Sequence, residues 1–385
     1  MINLVKDTIN NNDIDILIEW LETYPRLTKD KLTLEFEEEW SNWLGTDYSV
    51  FCNSGSSAIL LMLYALIQGD YIKKDSAVVI PSAAWATDLA PVIQLGLEPI
   101  LCDINFDNLS VDLNHLEEIF IRNNPSAFIL VSVLGLVPDM KDIADLCDKY
   151  NVHLLEDVAE ATGSSYKGKK LGTFGLMSIF STYFGHHLST IEGGIVSTND
   201  KKLMNILKAL RSHGWDRDMS DDFKNKLRRK WNVDDFNALY TFYYPGFNFR
   251  PTDLHAFIGI NQIKKLDDNI IKRNKIFDIY NSNISNDYWK MKIYEDRFVS
   301  NFAYPIIHPK RNEIVKCLLE NNIECRPMIC GSMGNQPFYI KEYGSLTLPN
   351  VSKVDRFGLY VPNHPSLKKS EIDCIVNIVN EVINE

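Results

Sequence analysis

Residues 127–157 read AFILVSVLGLVPDMKDIADLCDKYNVHLLED: an apolar run, Ala127–Leu134, an amphipathic stretch, Asp139–Tyr150, and a second apolar run, His153–Asp157, closing on two acids. Apolar strands on both sides of a helix describe parallel neighbours in a sheet whose two faces are covered. The same alternation extends outward over residues 50–200. Strands are expected at Ala77–Pro81, Glu98–Asp103, Met177–Thr182 and Gly194–Ser197, and helices at Ser57–Gln68, Thr87–Gln94 and Leu113–Asn123. The class is therefore α/β with a mainly parallel central sheet, and right-handed crossovers place a ligand at the carboxyl ends of its strands.

Two helices, Thr8–Thr23 and Leu32–Leu44, are expected ahead of this region, separated by the turn YPRLTKDK. Residues 205–250 mix charge with aromatics and read as a long functional loop. A helix Thr252–Leu266 then leads toward a second domain with a helix at Lys310–Asn321, a strand at Ile323–Arg326 and a C-terminal helix from Ser370. With 385 residues the chain exceeds what one core supports. The expected division is a large α/β domain, 1–250, and a smaller α+β domain, 251–385.

A net charge of −11 argues against nucleic-acid binding, which needs a basic face. Phosphate ligands remain compatible, because helix N-termini and placed arginines hold them inside acidic proteins. The seven cysteines form no CxxC pair and no zinc-spaced cluster, which fits reduced, buried thiols and no metal. The first residues lack a basic segment followed by an apolar run, and no stretch reaches the roughly 18 apolar residues of a membrane span. A cytoplasmic protein without membrane contact is expected.

Three stretches carry chemistry. In FCNSGSSAILLML, Asn53–Ser57 runs straight into an apolar helix. Free N–H groups and hydroxyls at a positive helix end suit a phosphate, and equally a plain N-cap. In LLEDVAEATGSSYKG, Glu156 and Asp157 end a strand at the ligand-binding edge. A carboxylate there pairs with a protonated ring nitrogen or caps the next helix. In IFSTYFGHHLSTIEGGIV, two histidines precede Glu192-Gly193-Gly194. An imidazole moves protons near neutral pH, and nothing around the pair has metal-ligand spacing.

These pieces resemble, in order, the sugar-nucleotide aminotransferases, pyridoxal-phosphate enzymes of aspartate-aminotransferase fold (fold type I). The resemblance spans about residues 26–339. It is carried by LTKDKLTLEFE (27–37), NSGSSA (53–58), PSAAWATD (81–88), LLEDVAEATGSSYKGKKLGTFG (154–175), FSTYFGHHLSTIEGGIVS (180–197), GFNFRPTDLHAFIGINQIKKLD (246–267) and IECRP (323–327). In that family a cofactor-binding lysine stands six positions before the Glu of Glu-Gly-Gly. Here that position is His186, and no lysine occurs from Leu171 to Asp200. A histidine forms no imine, so the resemblance implies a cofactor held without a covalent tether and able to rest as pyridoxamine 5′-phosphate.

A histidine in this place is similar to the family's 3-dehydratase branch, which acts on GDP-linked 4-keto-6-deoxy sugars. Its iron–sulfur counterpart for CDP-sugars uses a CxC that this chain lacks. The resemblance implies Asp157 on the pyridine nitrogen, Trp85 on the ring face, Ser56, Ser57 and Ser181 on the phosphate, and Glu160 close to the ring. It also implies Asn248 reaching the neighbouring subunit's cofactor in a homodimer. His186 would move the proton at the cofactor's reactive carbon, and His186 or His213 would assist loss of the sugar's C3 hydroxyl. Arg250, Arg326 and Trp215 are the candidates for substrate contact, and L-glutamate would regenerate the amine form. An aminotransferase that leaves nitrogen on the sugar and a non-catalytic sensor or scaffold are the competing readings. The hexose and a 6-deoxy-4-keto-heptose are both open as the sugar.

Overall fold

The computed structural model describes residues 1–292 and 294–385. Its strands are β1 (Tyr48–Cys52), β2 (Ala77–Pro81), β3 (Glu98–Cys102), β4 (Ala127–Val131), β5 (His153–Asp157), β6 (Ser165–Tyr166), β7 (Lys169–Lys170), β8 (Met177–Ser181), β9 (Gly194–Thr198), β10 (Arg297–Phe298), β11 (Ala303–Ile307), β12 (Arg326–Pro327) and β13 (Gly358–Pro362). The central sheet has seven strands in the order β1-β9-β8-β5-β4-β2-β3. β3, β2, β4, β5 and β8 are parallel, while β9 runs antiparallel to both β8 and β1. The α/β architecture with a mainly parallel sheet is as expected.

β4 is fully buried and stops at Val131, short of the expected Leu134. The chain turns there because the Ser132 N–H donates to the Asp157 carbonyl at 3.1 Å and Leu134 adopts φ 51°. β1 is a strand that its sequence did not announce. It is held by a five-residue antiparallel ladder to β9.

Residues 205–250 are more regular than expected of a loop. The helix Lys201–Arg211 buries Leu203, Ile206, Leu207 and Leu210. A second helix, Asp221–Trp231, has no fully buried residue. Phe223 packs partly buried against the main core, Arg228 pairs with Asp216 at 2.7 Å, and acids in the first turn and bases in the last complement the helix dipole. The apolar stripe of this helix is thin, Phe223, Leu227 and Trp231 alone among eight polar residues.

The helix Asp253–Asn283 is twice the expected length. Its start packs on the helix Lys31–Leu44, and further along it meets the C-terminal helix Lys369–Asn384. Beyond it β11, β13 and β12 form a small antiparallel sheet, backed by Arg311–Glu320 and the C-terminal helix. The N-terminal residues cross between these parts. Ile2 exchanges backbone hydrogen bonds with Asn322 and Glu324 at 2.8 and 3.0 Å, and the Ser189 N–H donates to the Thr8 hydroxyl at 3.0 Å. No helix of the described residues is long and apolar enough to cross a membrane.

Candidate active site

Alternation along β5 separates its two terminal acids. Glu156 points to one face and accepts the N–H groups of Gly172, Phe174 and Gly175, each at 2.7 Å. It is a structural brace for the loop ahead of β8. Asp157 points to the other face, is buried, and accepts the Ala159 N–H at 2.8 Å. Burial raises its carboxyl above the usual range, while a hydrogen bond from Asp88 works against that rise.

Asp88, in the first turn of the helix Ala86–Gln94, is wholly buried and accepts the Trp85 N–H at 2.9 Å. Burial and then the Asp157 charge hold its carboxyl well above the ordinary value. Two adjacent carboxyls that shed water cannot both ionise, so the pair shares a proton. Sequence reasoning did not single out Asp88. An acid three residues after Trp85 reads as first-turn capping, and only the fold turns it toward β5.

Glu160 braces the turn after β4 by accepting the Leu134 N–H at 2.7 Å. Burial pushes it up to about 8 against that hydrogen bond, and the Asp157 charge adds to the rise. Trp85 is 55% exposed at the mouth of this cluster, an unusual placing for a tryptophan with no water-facing task. The loop 329–336 lies beside the residues leading into Trp85: Met333 N–H donates to the Ser82 carbonyl at 2.9 Å and the Cys330 thiol meets the Ala84 carbonyl. Arg326 lies outside, exposed, paired with Glu324 at 3.6 Å and within electrostatic reach of Tyr360, which also senses Glu160.

A second corner is built by the helix Gly55–Gln68. Its N-cap, Ser54, accepts the Ser57 N–H at 3.1 Å and bonds the Ser57 hydroxyl at 3.0 Å. A Cβ on Gly55 would stand 2.9 Å from the Cβ of Ser181. The helix start therefore lies directly against the end of β8, bringing Ser56, Ser57 and Ser181 to one corner. These groups fit a phosphorylated pyridine: an anion cup at one end, a buried carboxylate at the other, and an exposed indole beside it.

His186 follows in the β8–β9 loop. Its ring reaches the Ala159 carbonyl, two residues past Asp157, and stands 5.2 Å from the Phe302 ring. Its Nδ1 is buried with no partner among the described residues. Burial, then the Arg273 charge, lowers it to about 4, so the imidazole is neutral at pH 7. His187 points away and bonds the Ser300 carbonyl at 3.0 Å. Arg273, fully buried, ties this loop to the small sheet by donating to the carbonyls of His186 (3.3 Å), Phe302 (2.9 Å) and Asn363. Nothing in the sequence had pointed to it.

The remaining candidates form a separate group. His213, Trp215, Asn248 and Arg250 sit together: Ser212 pairs with Asn248, Arg250 donates to the Asn248 side chain at 2.9 Å, and the His213 ring is 5.3 Å from Trp215. The Arg217 guanidinium lies 3.8 Å over the Trp215 ring. With Arg26 and Lys29, these residues other than His213 line a surface cavity of about 650 Å³. No hydrogen bond among the described residues joins this group to Asp157 or His186. The two are linked through the backbone, where Asn53 N–H donates to the Phe249 carbonyl at 3.0 Å.

Comparison with known proteins places this geometry. The model of the DegT/DnrJ/EryC1/StrS aminotransferase family matches residues 8–380. The GDP-4-keto-6-deoxy-D-mannose 3-dehydratase of Yersinia pseudotuberculosis is 32% identical over 90% of each chain. A GDP-perosamine synthase of Caulobacter vibrioides is 26% identical over 99% of this chain and 98% of its own. The solved GDP-4-keto-6-deoxymannose-3-dehydratase with a trapped PLP-glutamate geminal diamine superposes with a TM-score of 0.88 at 28% identity, covering 98% of this chain and all of the other.

Proposed function

The chain belongs to the DegT/DnrJ/EryC1/StrS aminotransferase family, fold type I enzymes that use pyridoxal phosphate, and from that premise we propose that it is a nucleotide-sugar 3-dehydratase. The substrate is a GDP-linked 4-keto-6-deoxy sugar, a mannose-derived hexose or the corresponding heptose, destined for a 3,6-dideoxy sugar of surface polysaccharide. One observation carries this reading: a neutral imidazole, His186, stands where the family keeps its tethering lysine. Bound in its amine form, the cofactor supplies an amine for the C4 ketone and an electron sink that lets the neighbouring C3 hydroxyl depart.

The chain's own residues do the rest. Asp157 holds the ring nitrogen, and the Ser56–Ser57–Ser181 corner holds the phosphate. Trp85 covers the ring face. His186, already unprotonated at neutral pH, takes the proton at the cofactor's reactive carbon and returns it to the leaving oxygen. Asn248 completes the partner subunit's phosphate site in a homodimer. Trp215 and Arg250, with Arg326 at the other edge, contact the nucleotide. L-Glutamate restores the amine.

The test uses glutamate with GDP- and CDP-linked 4-keto-6-deoxy sugars, read by mass spectrometry. Loss of the C3 oxygen with release of ammonia is expected. His186→Lys should hold the cofactor covalently through dialysis and cut 3-deoxygenation by at least about 100-fold, in line with a general acid–base contribution. Normal dehydration by that variant would sink the reading. A second reading, sugar amination, is favoured by the likeness to GDP-perosamine synthase, and an aminosugar product would establish it.

A further inference from the structure

Asp88 has no part in the chemistry just described, yet it is the most completely enclosed acid near the ring site, with 0% exposure. One oxygen accepts the Trp85 N–H at 2.9 Å. The other, Oδ1, is buried with no conventional donor among the described residues. The side chain meets the Asp157 carboxyl directly. The groups that face it are Asp157 and Glu160 from the end of β5 and Cys330 from the loop 329–336, all acids or a neutral thiol. No cation among those groups offsets a charge on Asp88. A buried carboxyl in such company persists only in its neutral form, as a hydrogen-bond donor.

We propose that Asp88 is a positioning residue: it carries the proton of a carboxyl–carboxylate pair and, by donating it to Asp157, fixes the carboxylate that meets the cofactor's ring nitrogen. The arrangement rests on the assignment of Asp157 to that nitrogen. Asp157 then keeps a single negative charge, with one oxygen turned to the ring and its orientation set by Asp88 and the Ala159 N–H. Asp88 also sets Trp85, whose N–H it accepts, so one side chain fixes both the edge and the face of the ring site.

The probe is pyridoxamine 5′-phosphate alone, titrated into cofactor-free protein and followed by equilibrium dialysis, beside thermal melting of the same samples. Asp88→Asn keeps a donor of the same shape and should bind within about 3-fold of the parent. Asp88→Ala removes the donor and should weaken binding at least about 10-fold, a loss that melting of the folded sample does not account for. Equal affinity for Asp88→Ala and the parent overturns the proposal, as does a 10-fold loss in Asp88→Asn. Asp157→Asn separates the two assignments. If it leaves affinity unchanged, the ring-nitrogen reading itself fails; if it weakens binding while Asp88→Ala does not, only the role of Asp88 fails. Should Asp88→Ala not fold, Asp88→Thr supplies a smaller donor, expected to bind within about 10-fold of the parent.

Discussion

Glu160 and His186 both adjoin the turn after β5, and enclosure drives each to its uncharged form. The carboxyl rises to about 8 and the imidazole falls to about 4. At neutral pH the acid is protonated, the reverse of its state in water, and the imidazole loses the partial charge it would keep there. Each shift has a sign in stability. Glu160 has a raised folded value, so its contribution is full below the unfolded value near 4.5 and is lost as pH climbs through about 8. Melting of cofactor-free protein should therefore fall between pH 5 and 8.5 more in the parent than in Glu160→Gln. Equal slopes would contradict the assignment. His186 has a depressed folded value, so its contribution is lost as pH falls from 6.5 toward 4. His186→Asn should flatten that acid limb. These values could not be read from the chain, because they depend on which walls close around each group. The histidine's place six residues before Glu192 could be.

At the scale of elements, the corner of Ser56, Ser57 and Ser181 depends on a crossing without side chains. A Cβ on Gly194 would stand 2.2 Å from the Ser54 carbonyl oxygen and 2.6 Å from the Gly55 nitrogen. β9 therefore touches the very start of the helix Gly55–Gln68, and only glycine permits it. Gly194→Ala must displace that backbone. A stability loss of about 1–3 kcal/mol is expected, with pyridoxamine phosphate affinity lowered at least about 10-fold; unchanged affinity would show that the helix start is not the phosphate site. Much of this level was legible. The apolar strands from Ala77 to Ser197, the helix after Asn53 and the acids closing β5 were expected from pattern alone. Asp157 and Glu156, alike in the sequence, part company because the strand's pleat turns one to Asp88 and one to the loop Gly172–Gly175. The helix Asp221–Trp231 escaped because only Phe223, Leu227 and Trp231 mark its apolar side among eight polar residues. Arg273 escaped because its partners are carbonyls from distant segments, which leave no mark in local composition.

Across the whole molecule, the histidine loop is held from two directions. Arg273 anchors it to the small sheet, and the N-terminal stretch lies along its back. A Cβ on Gly185 would stand 3.5 Å from the Val5 side chain, while Thr8 accepts the Ser189 N–H. The same stretch is hydrogen-bonded through Ile2 to the edge beside Ile323. Deleting residues 1–8 should lower the melting temperature and speed release of pyridoxamine phosphate several-fold, measured by stopped-flow dilution. Release at the parent's rate would mean that the loop holds its shape unaided.

That short stretch works as a splint laid across a seam, gripping one side at Ile2 and the other at Thr8. Fixing the protein to a surface by its amino end would pull on the splint and, through Gly185, on the imidazole of His186. Fixing it by the carboxyl end, at the far tip of the helix Lys369–Asn384, would leave that histidine at rest.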